Sequence, residues 1–398
     1  MEKRILLSSP TMHGEEMKYI EEAFARNWIA PLGFNCDEFE KEMLRYLYGE
    51  NSDGKAALAV SSCTAALHLA IKLAGVQPGD VVFCSDLTFV ASANPVSYVG
   101  ATQVFVDSER DTWNMDPAAL EKAFAKYPQA KVVLLVHLYG VPAKMDEIRA
   151  ICRKHNAVLI EDAAEALSAT YHGRPCGTLG EYNTISFNGN KIITTSGGGM
   201  LICKHASARD KALFWATQAR ENAQWYQHED VGYNYRMSNV VAGIVRGQYS
   251  HLEEHIAQKK AIWERYRKGL SGLPVRMNPF EENIAEPNYW LSAMLLDKEA
   301  MCLQERGDLK SRYVAEHGKS CPTEILEAIS SIYAEGRPIW KPMHMQPMYK
   351  DHAFITASED GLAVGADIFA RGLCLPSDNK MTQQQQDRII EVIGRCFE

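Results

Sequence analysis

Five stretches of this chain admit few folds. "AALAV" (56–60), "DVVFCS" (80–85), "TQVFVD" (102–107), "KVVLLVHLYG" (131–140) and "AVLIED" (157–162) are near-continuous apolar runs of strand length. A strand with one wet face alternates polar and apolar residues, so an unbroken apolar run marks a strand covered on both sides, as in a parallel sheet between helices. Helical periodicity fills the gaps, in "TAALHLAIKLAG" (64–75), "DPAALEKAFAKY" (116–127) and "MDEIRAICRKHN" (145–156). "NTISF" (183–187) and "GGMLICK" (198–204) add two strands, and "GEEMKYIEEAFARN" (14–27) spaces Met17, Ile20 and Phe24 as a helix would. The alternation predicts an α/β doubly wound unit with a mostly parallel sheet of seven strands.

Near residue 245 the texture changes. "EEHIAQKKAIWERYRKGL" (253–270) is a long amphipathic helix, shorter apolar runs such as "WLSAMLL" (290–296) follow, and "TQQQQDRIIEVIGRCF" (382–397) is a closing helix. This predicts a large domain over 1–245 and a smaller α+β domain over 246–398, a division that suits a length of 398 residues. A net charge of −8 argues against a nucleic-acid binder, which needs clustered Lys and Arg. No tract of eighteen apolar residues occurs, so no membrane partner is expected. Ten cysteines stand singly without a CxxC pair, which fits reduced thiols in a cytoplasm.

In open α/β sheets ligands collect at the carboxyl ends of the strands, and three signals fall there. "SSCTAALHL" follows the strand ending at Val60 and opens a helix, whose free N–H groups suit a phosphate; an ordinary cap by Ser62 or Thr64 would look the same. Asp162 ends an apolar strand, where a carboxylate needs either a cation or a capping role. Lys191, in "SFNGNKIITTSGGGML" (186–201), lies beyond another strand. Held among dipoles and apolar groups, such a lysine has a depressed pKa and can act as a nucleophilic amine. A phosphate-ready helix start, an acid and an amine at one sheet edge are what pyridoxal phosphate requires of its site.

"SSCTAALHLA", "DLTFVASANP", "VDSERDTWNMDP", "VHLYGVPAKMDEI", "IEDAAEALSATYHGRPCGTLG", "SFNGNKIITTSGGGM" and "VGYNYRMSN" resemble, in order, the DegT/DnrJ/StrS family of nucleotide-sugar aminotransferases. The likeness runs from "NWIAPLG" to "IWKPMHMQPMY" and "LCLPS", and is nearest to the subgroup that makes UDP-bacillosamine precursors. It implies an aspartate-aminotransferase-like fold of type I, pyridoxal 5'-phosphate as cofactor, and a homodimer with shared active sites. It implies transfer of an amino group from L-glutamate to the C4 ketone of UDP-2-acetamido-2,6-dideoxy-hexos-4-ulose. Position by position, Lys191 would join the cofactor aldehyde and Asp162 would pair with the ring nitrogen. Phe89 would stack on the ring. Thr64, Ala65 and Ser186 would bind the phosphate, beside Cys63, which stands where the family usually has glycine. Glu165 stands where the family commonly has Gln or His near the ring hydroxyl, so its carboxyl would have to be protonated or share a proton there. Asn234 would reach the phosphate of the neighbouring subunit, and Trp28 and His344 would border the sugar-nucleotide pocket.

Other readings compete. Within the family, removal of a C3 hydroxyl goes with histidine in place of the lysine, and Lys191 argues against it; C3 ketones and dTDP- or GDP-linked sugars remain alternatives. A non-catalytic binding protein on the same fold would tolerate loss of Lys191, Asp162 or Asn234, and all three are present. "HLEEH" (251–255) fits a zinc-binding spacing, yet sits in a charged helix where such residues are ordinary. Glu161 and Asp162 are neighbours on a strand and point to opposite faces, so they cannot act on one atom.

Overall fold

The computed structural model describes residues 4–307, 309–359 and 361–398. Two helices, α1 (Glu15–Ala25) and α2 (Phe34–Tyr48), precede the first strand, β1 (Ala56–Val60), which leads into α3 (Cys63–Leu73). Then come β2 (Val81–Ser85), α4 (Asn94–Tyr98), β3 (Thr102–Val106), α5 (Pro117–Lys126), β4 (Val132–Val136), α6 (Met145–Lys154) and β5 (Val158–Asp162). A small hairpin, β6 (Thr170–Tyr171) and β7 (Arg174–Pro175), separates these from β8 (Tyr182–Ser186) and β9 (Gly199–Cys203). The helices α7 (Ala206–Ala216), α8 (Asn239–Tyr249) and α9 (Leu252–Gly269) follow.

All seven expected strands join one sheet, in the order β1-β9-β8-β5-β4-β2-β3. Only β9 runs against the rest: it pairs antiparallel with β1 and β8, and the other contacts in the sheet are parallel. The period of two sorts each strand onto two apolar layers. Ala57, Ala59, Phe83, Val133 and Leu135 enter one, and Leu58, Val60, Val82, Leu134 and Val136 enter the other. This is why these runs are apolar on both faces almost throughout, with Gln103 in β3 and Glu161 in β5 as buried exceptions. The strand read over 131–140 is shorter than expected, because after Val136 the chain turns through Tyr139, whose φ is 52°.

Later in the chain, β10 (Val275–Met277), β11 (Ala285–Glu286), β12 (Ala293–Leu296), β13 (Gln304–Arg306), β14 (Ser311–Tyr313), α10 (Pro322–Ser331) and β15 (Arg337–Pro338) lead to β16 (Ala353–Ile355). Then α11 (Val364–Arg371), β17 (Gly372–Cys374) and α12 (Gln383–Arg395) close the chain. A second, antiparallel sheet has the order β10-β12-β17-β15. Its apolar core takes Ile262 and Tyr266 of α9, Ile325 and Ile329 of α10, and Ile389 and Ile393 of α12. Ile5, from the opposite end of the sequence, belongs to this core and bridges to Ala334. The large sheet has one strand more than expected: β16 pairs parallel with β3, Ala353 opposite Val104. No helix among the described residues is long and apolar enough to cross a membrane.

One glycine ties the sheet to its ligand-facing edge. A Cβ on Gly199, the first residue of β9, would lie 2.3 Å from the backbone N of Cys63 and 2.4 Å from the carbonyl carbon of Ser62. Neither backbone atom can move without displacing the start of α3. Gly199→Ala should therefore cost about 1–3 kcal/mol of stability, read as a lower urea midpoint at unchanged slope. An unchanged midpoint would mean that β9 and α3 are less tightly apposed than described.

Candidate active site

Because β9 alone is reversed, the carboxyl ends of β1, β2, β4, β5 and β8 and the start of β9 share one edge of the sheet. A cavity of about 290 Å³ opens there. Its lining takes Cys63 and Thr64 after β1, Phe89 and Ser92 after β2, Asp162 at the end of β5, and Ser186 and Lys191 from β8 onward.

At the helix start, the cap reading of "SSC" is observed, and it leaves two backbone amides unused. Ser62 caps α3, its Oγ accepting the Ala65 N–H at 3.1 Å. That occupies the Ala65 amide, while the amides of Cys63 and Thr64 have no acceptor among the described residues. These two free N–H groups, at the positive end of a helix, form an anion cradle. Ser186 sits beside them, its Oγ accepting the Asn188 N–H at 3.3 Å.

Asp162 is 2% exposed and has no ion-pair partner among the described residues. Its Oδ2 accepts the Ser92 hydroxyl at 2.7 Å and its Oδ1 the Ala164 N–H at 3.0 Å. Burial raises its pKa, with the Ser92 bond opposing the rise. A carboxylate so placed is short of a cation. The Cys63 thiol is 3.9 Å from Oδ1, and burial pushes it well above the ordinary thiol range, so it remains a neutral filler.

Lys191 stands in the turn after β8, its N–H donated to Asn188 O at 3.0 Å. Nζ is 3.7 Å from Glu165 Oε1 and 3.7 Å from the centre of the Trp290 ring. Glu165 is buried, and its Oε2 accepts the Tyr139 N–H at 2.7 Å. Burial raises the Glu165 carboxyl, and the nearby Lys191 opposes that. The direction agrees with an acid that can keep or share a proton.

Glu161, one residue from Asp162, faces away and serves structure. Its carboxylate takes N–H groups from Gly177 at 2.6 Å, Leu179 at 2.7 Å and Gly180 at 3.1 Å, and pairs with His137 Nε2 at 2.8 Å. Burial would raise its pKa, but the His137 bond and these amides hold it below the ordinary range. His137 Nδ1 accepts the Ala143 N–H at 3.0 Å, so the proton sits on Nε2 and Nδ1 is not free for a metal.

Of the other expected residues, one lines the cavity and three lie outside it within one chain. Phe89 lines the cavity, half exposed, its ring 5.2 Å from that of Trp340. Asn234 is exposed, bridged to Thr217, and lies outside its own chain's cavity. Trp28 is 51% exposed on the surface, its carbonyl accepting from Asn239 Nδ2 at 2.7 Å. His344 does not line the cavity. Its Nδ1 lies 2.7 Å from Asp86 Oδ2, its N–H meets Asp86 Oδ1 at 2.8 Å, and its ring stacks 4.0 Å from Phe354. Sequence reasoning missed Ser92, Trp290 and Trp340. Ser92 and Trp340 lie inside the quoted stretches "DLTFVASANP" and "IWKPMHMQPMY", but nothing local distinguishes them; Trp290 comes from a strand run that read only as core.

Pyridoxal phosphate fits this set: two free amides for its phosphate, a buried carboxylate short of a cation for its ring nitrogen, an amine for its aldehyde, and Phe89 to cover its face. Bound there, the cofactor supplies an electron sink and an aldehyde that can carry nitrogen.

Comparison with known proteins agrees. Residues 10–394 match the model of the DegT/DnrJ/EryC1/StrS aminotransferase family. A Bacillus subtilis protein assigned as a pyridoxal phosphate-dependent aminotransferase, EpsN, is 45% identical, the alignment covering 100% of this chain and 97% of that one. GDP-perosamine synthase of Caulobacter vibrioides is 34% identical, over 99% of this chain and 98% of its own. Among solved structures, Spr1654 of Streptococcus pneumoniae, assigned as a sugar aminotransferase and crystallised in its PLP form, superposes with a TM-score of 0.84. That likeness covers 99% of this chain and 100% of that one at 22% identity, and speaks for the fold.

Proposed function

Since the chain belongs to the DegT/DnrJ/EryC1/StrS aminotransferase family and is a pyridoxal phosphate-dependent sugar aminotransferase, we propose that it transfers an amino group from L-glutamate to the C4 ketone of a nucleotide-linked 4-keto-6-deoxy sugar. The first candidate is UDP-2-acetamido-2,6-dideoxy-hexos-4-ulose, made in the cytoplasm for a glycan or exopolysaccharide. The reading rests on one observation: a lysine, an unpaired buried carboxylate and the free amides of a helix start share one cavity.

Each residue takes a role from its chemistry. The Cys63 and Thr64 amides and Ser186 hold the cofactor phosphate. Asp162 keeps a proton on the ring nitrogen by supplying the opposite charge, and Ser92 fixes the carboxylate that does so. Lys191 Nζ takes and returns the proton at the carbon that carries the nitrogen, general acid–base work at a fixed position. Glu165 shares a proton with the ring hydroxyl. Asn234, exposed and outside its own cavity, serves the phosphate of a neighbouring subunit, which makes a homodimer the working unit.

A GDP-linked sugar is the second reading, favoured by the identity to GDP-perosamine synthase. An absorbance spectrum before and after L-glutamate tests the first half-reaction: a visible band that bleaches into the ultraviolet supports it. UDP-, GDP- and dTDP-linked 4-keto sugars then compete as acceptors. A UDP sugar with kcat/KM at least about tenfold above the others supports the first candidate, a difference of about 1.4 kcal/mol in transition-state binding. A higher value for the GDP sugar replaces it with the second, and a protein without a visible band in the presence of added cofactor removes both.

A further inference from the structure

Lys191 sits in a turn of its own, and the backbone on each side of it is held by side chains from distant parts of the sequence. The carbonyl before it, Asn190 O, accepts the Trp290 Nε1–H at 2.6 Å and the Ser8 hydroxyl at 2.9 Å. The carbonyl after it, Ile192 O, accepts the Nδ1–H of His255 at 2.7 Å. His255 is 2% exposed and belongs to the second turn of α9. Its other ring nitrogen lies 2.8 Å from Nε2 of His13. With Nδ1 carrying the proton, Nε2 of His255 accepts from His13, and burial, which lowers the pKa of His255, keeps the ring in that neutral form.

One helical turn further along the same face, Lys259 is buried too. Its Nζ donates to Ser8 Oγ at 3.1 Å and to Ser377 O at 2.6 Å. A single face of α9 thus reaches both carbonyls that flank Lys191, one directly and one through Ser8. The "HLEEH" spacing finds its use here. His251 turns to Glu254 at 3.2 Å and Glu15 at 3.5 Å, and stacks on His13 with ring centres 3.5 Å apart and planes 3° from parallel. The lone pairs of parallel stacked rings do not converge on one metal ion, so the geometry favours a mechanical role over ligation.

We propose that His255 is a positioning residue for Lys191: its Nδ1–H, together with the Ser8 hydroxyl, clamps the two carbonyls beside the lysine and fixes where Nζ stands. The proposal rests on the reading of Lys191 as the residue that joins the cofactor. A displacement of an ångström at a reacting amine is costly to rate and cheap to binding, which defines the signature to look for.

The test uses the full-length, cofactor-loaded protein with His255→Leu, His255→Asn and Ser8→Ala. Leucine fills the space without a donor, and asparagine sets an amide N–H where Nδ1–H was. His255→Leu should lower kcat for the L-glutamate half-reaction about tenfold with KM within about twofold, the loss expected for one well-aligned hydrogen bond. It should also move the pH midpoint of the visible band by about half a pH unit or more, since the amine leaves its set position. His255→Asn should restore both. Equal losses in the two variants, or wild-type kcat and midpoint in His255→Leu, would overturn the proposal. Should His255→Leu not fold, Ser8→Ala decides: a smaller change of the same kind supports the clamp, and wild-type behaviour overturns it. A wild-type protein without a visible band would instead strike the reading of Lys191 itself, and the clamp with it.

Discussion

Lys191→Ala is expected to lower turnover by about 10⁴-fold or more, and to remove the visible band of the cofactor-loaded protein. Among the described residues lining the cavity, Lys191 is the only cation, so no neighbour can supply an amine in its place. Lys191→Arg keeps the charge but not a group that can lose its proton, and should be as inactive. The fold should survive both changes. Without the amine, Glu165 loses the nearby charge that holds its pKa down, and burial then favours the neutral acid, which needs no cation. Turnover of L-glutamate and a nucleotide 4-keto sugar, with a thermal melt alongside, checks this. Normal activity in either variant would end the assignment.

Asp162→Asn should lower kcat by about 10²–10³-fold, the usual range for deleting one preorganised electrostatic partner. Asparagine preserves size and can still accept from Ala164, but it brings no charge to the ring nitrogen. The same change should make the cofactor-free protein more stable above pH 4. Burial raises Asp162 above its ordinary value of 3.8, so the folded chain binds more protons there than the unfolded chain. Stability therefore falls as pH rises from that ordinary value through the raised one. The asparagine variant has no such group and should not show that fall. Urea midpoints at pH 4 and pH 7 for both apoproteins decide it, and equal differences for the two would contradict a cation-starved Asp162. Loss of function with gain of stability is the mark of a residue kept for chemistry.

Most of the seven strands were legible because burial on both faces writes itself into the sequence as near-continuous apolar runs, and "VVFCS" or "VLLV" cannot be mistaken for a wet edge. Lys191, Asp162 and Cys63 with Thr64 were legible for a related reason: each stands at or just beyond the end of a strand, and a parallel sheet brings the ends of its strands together. What escaped lies across the fold. Asp86, the partner of His344, and Ser92, the partner of Asp162, become neighbours only once β2 is set beside β4 and the chain has returned from the second sheet. The eighth strand was invisible, because "AFI" is three residues long and carries no period to read. Ser62 exposes a different limit: as a cap and as the edge of a phosphate cradle it needs the same residue, and only the free amides of Cys63 and Thr64 separate the two roles.

That eighth strand bears on how the chain is made. Synthesis runs from the N-terminus, and β3 leaves the ribosome long before β16, its partner. Until Ala353–Ile355 arrives, one margin of the large sheet presents unpaired amides and carbonyls, a template for any extended segment nearby. A product of premature termination ahead of residue 353 would carry Asp162, Lys191 and the whole cradle at α3, and would still be an aggregation hazard. Completion of the sheet thus waits on a stretch that lies outside the cavity holding Asp162 and Lys191.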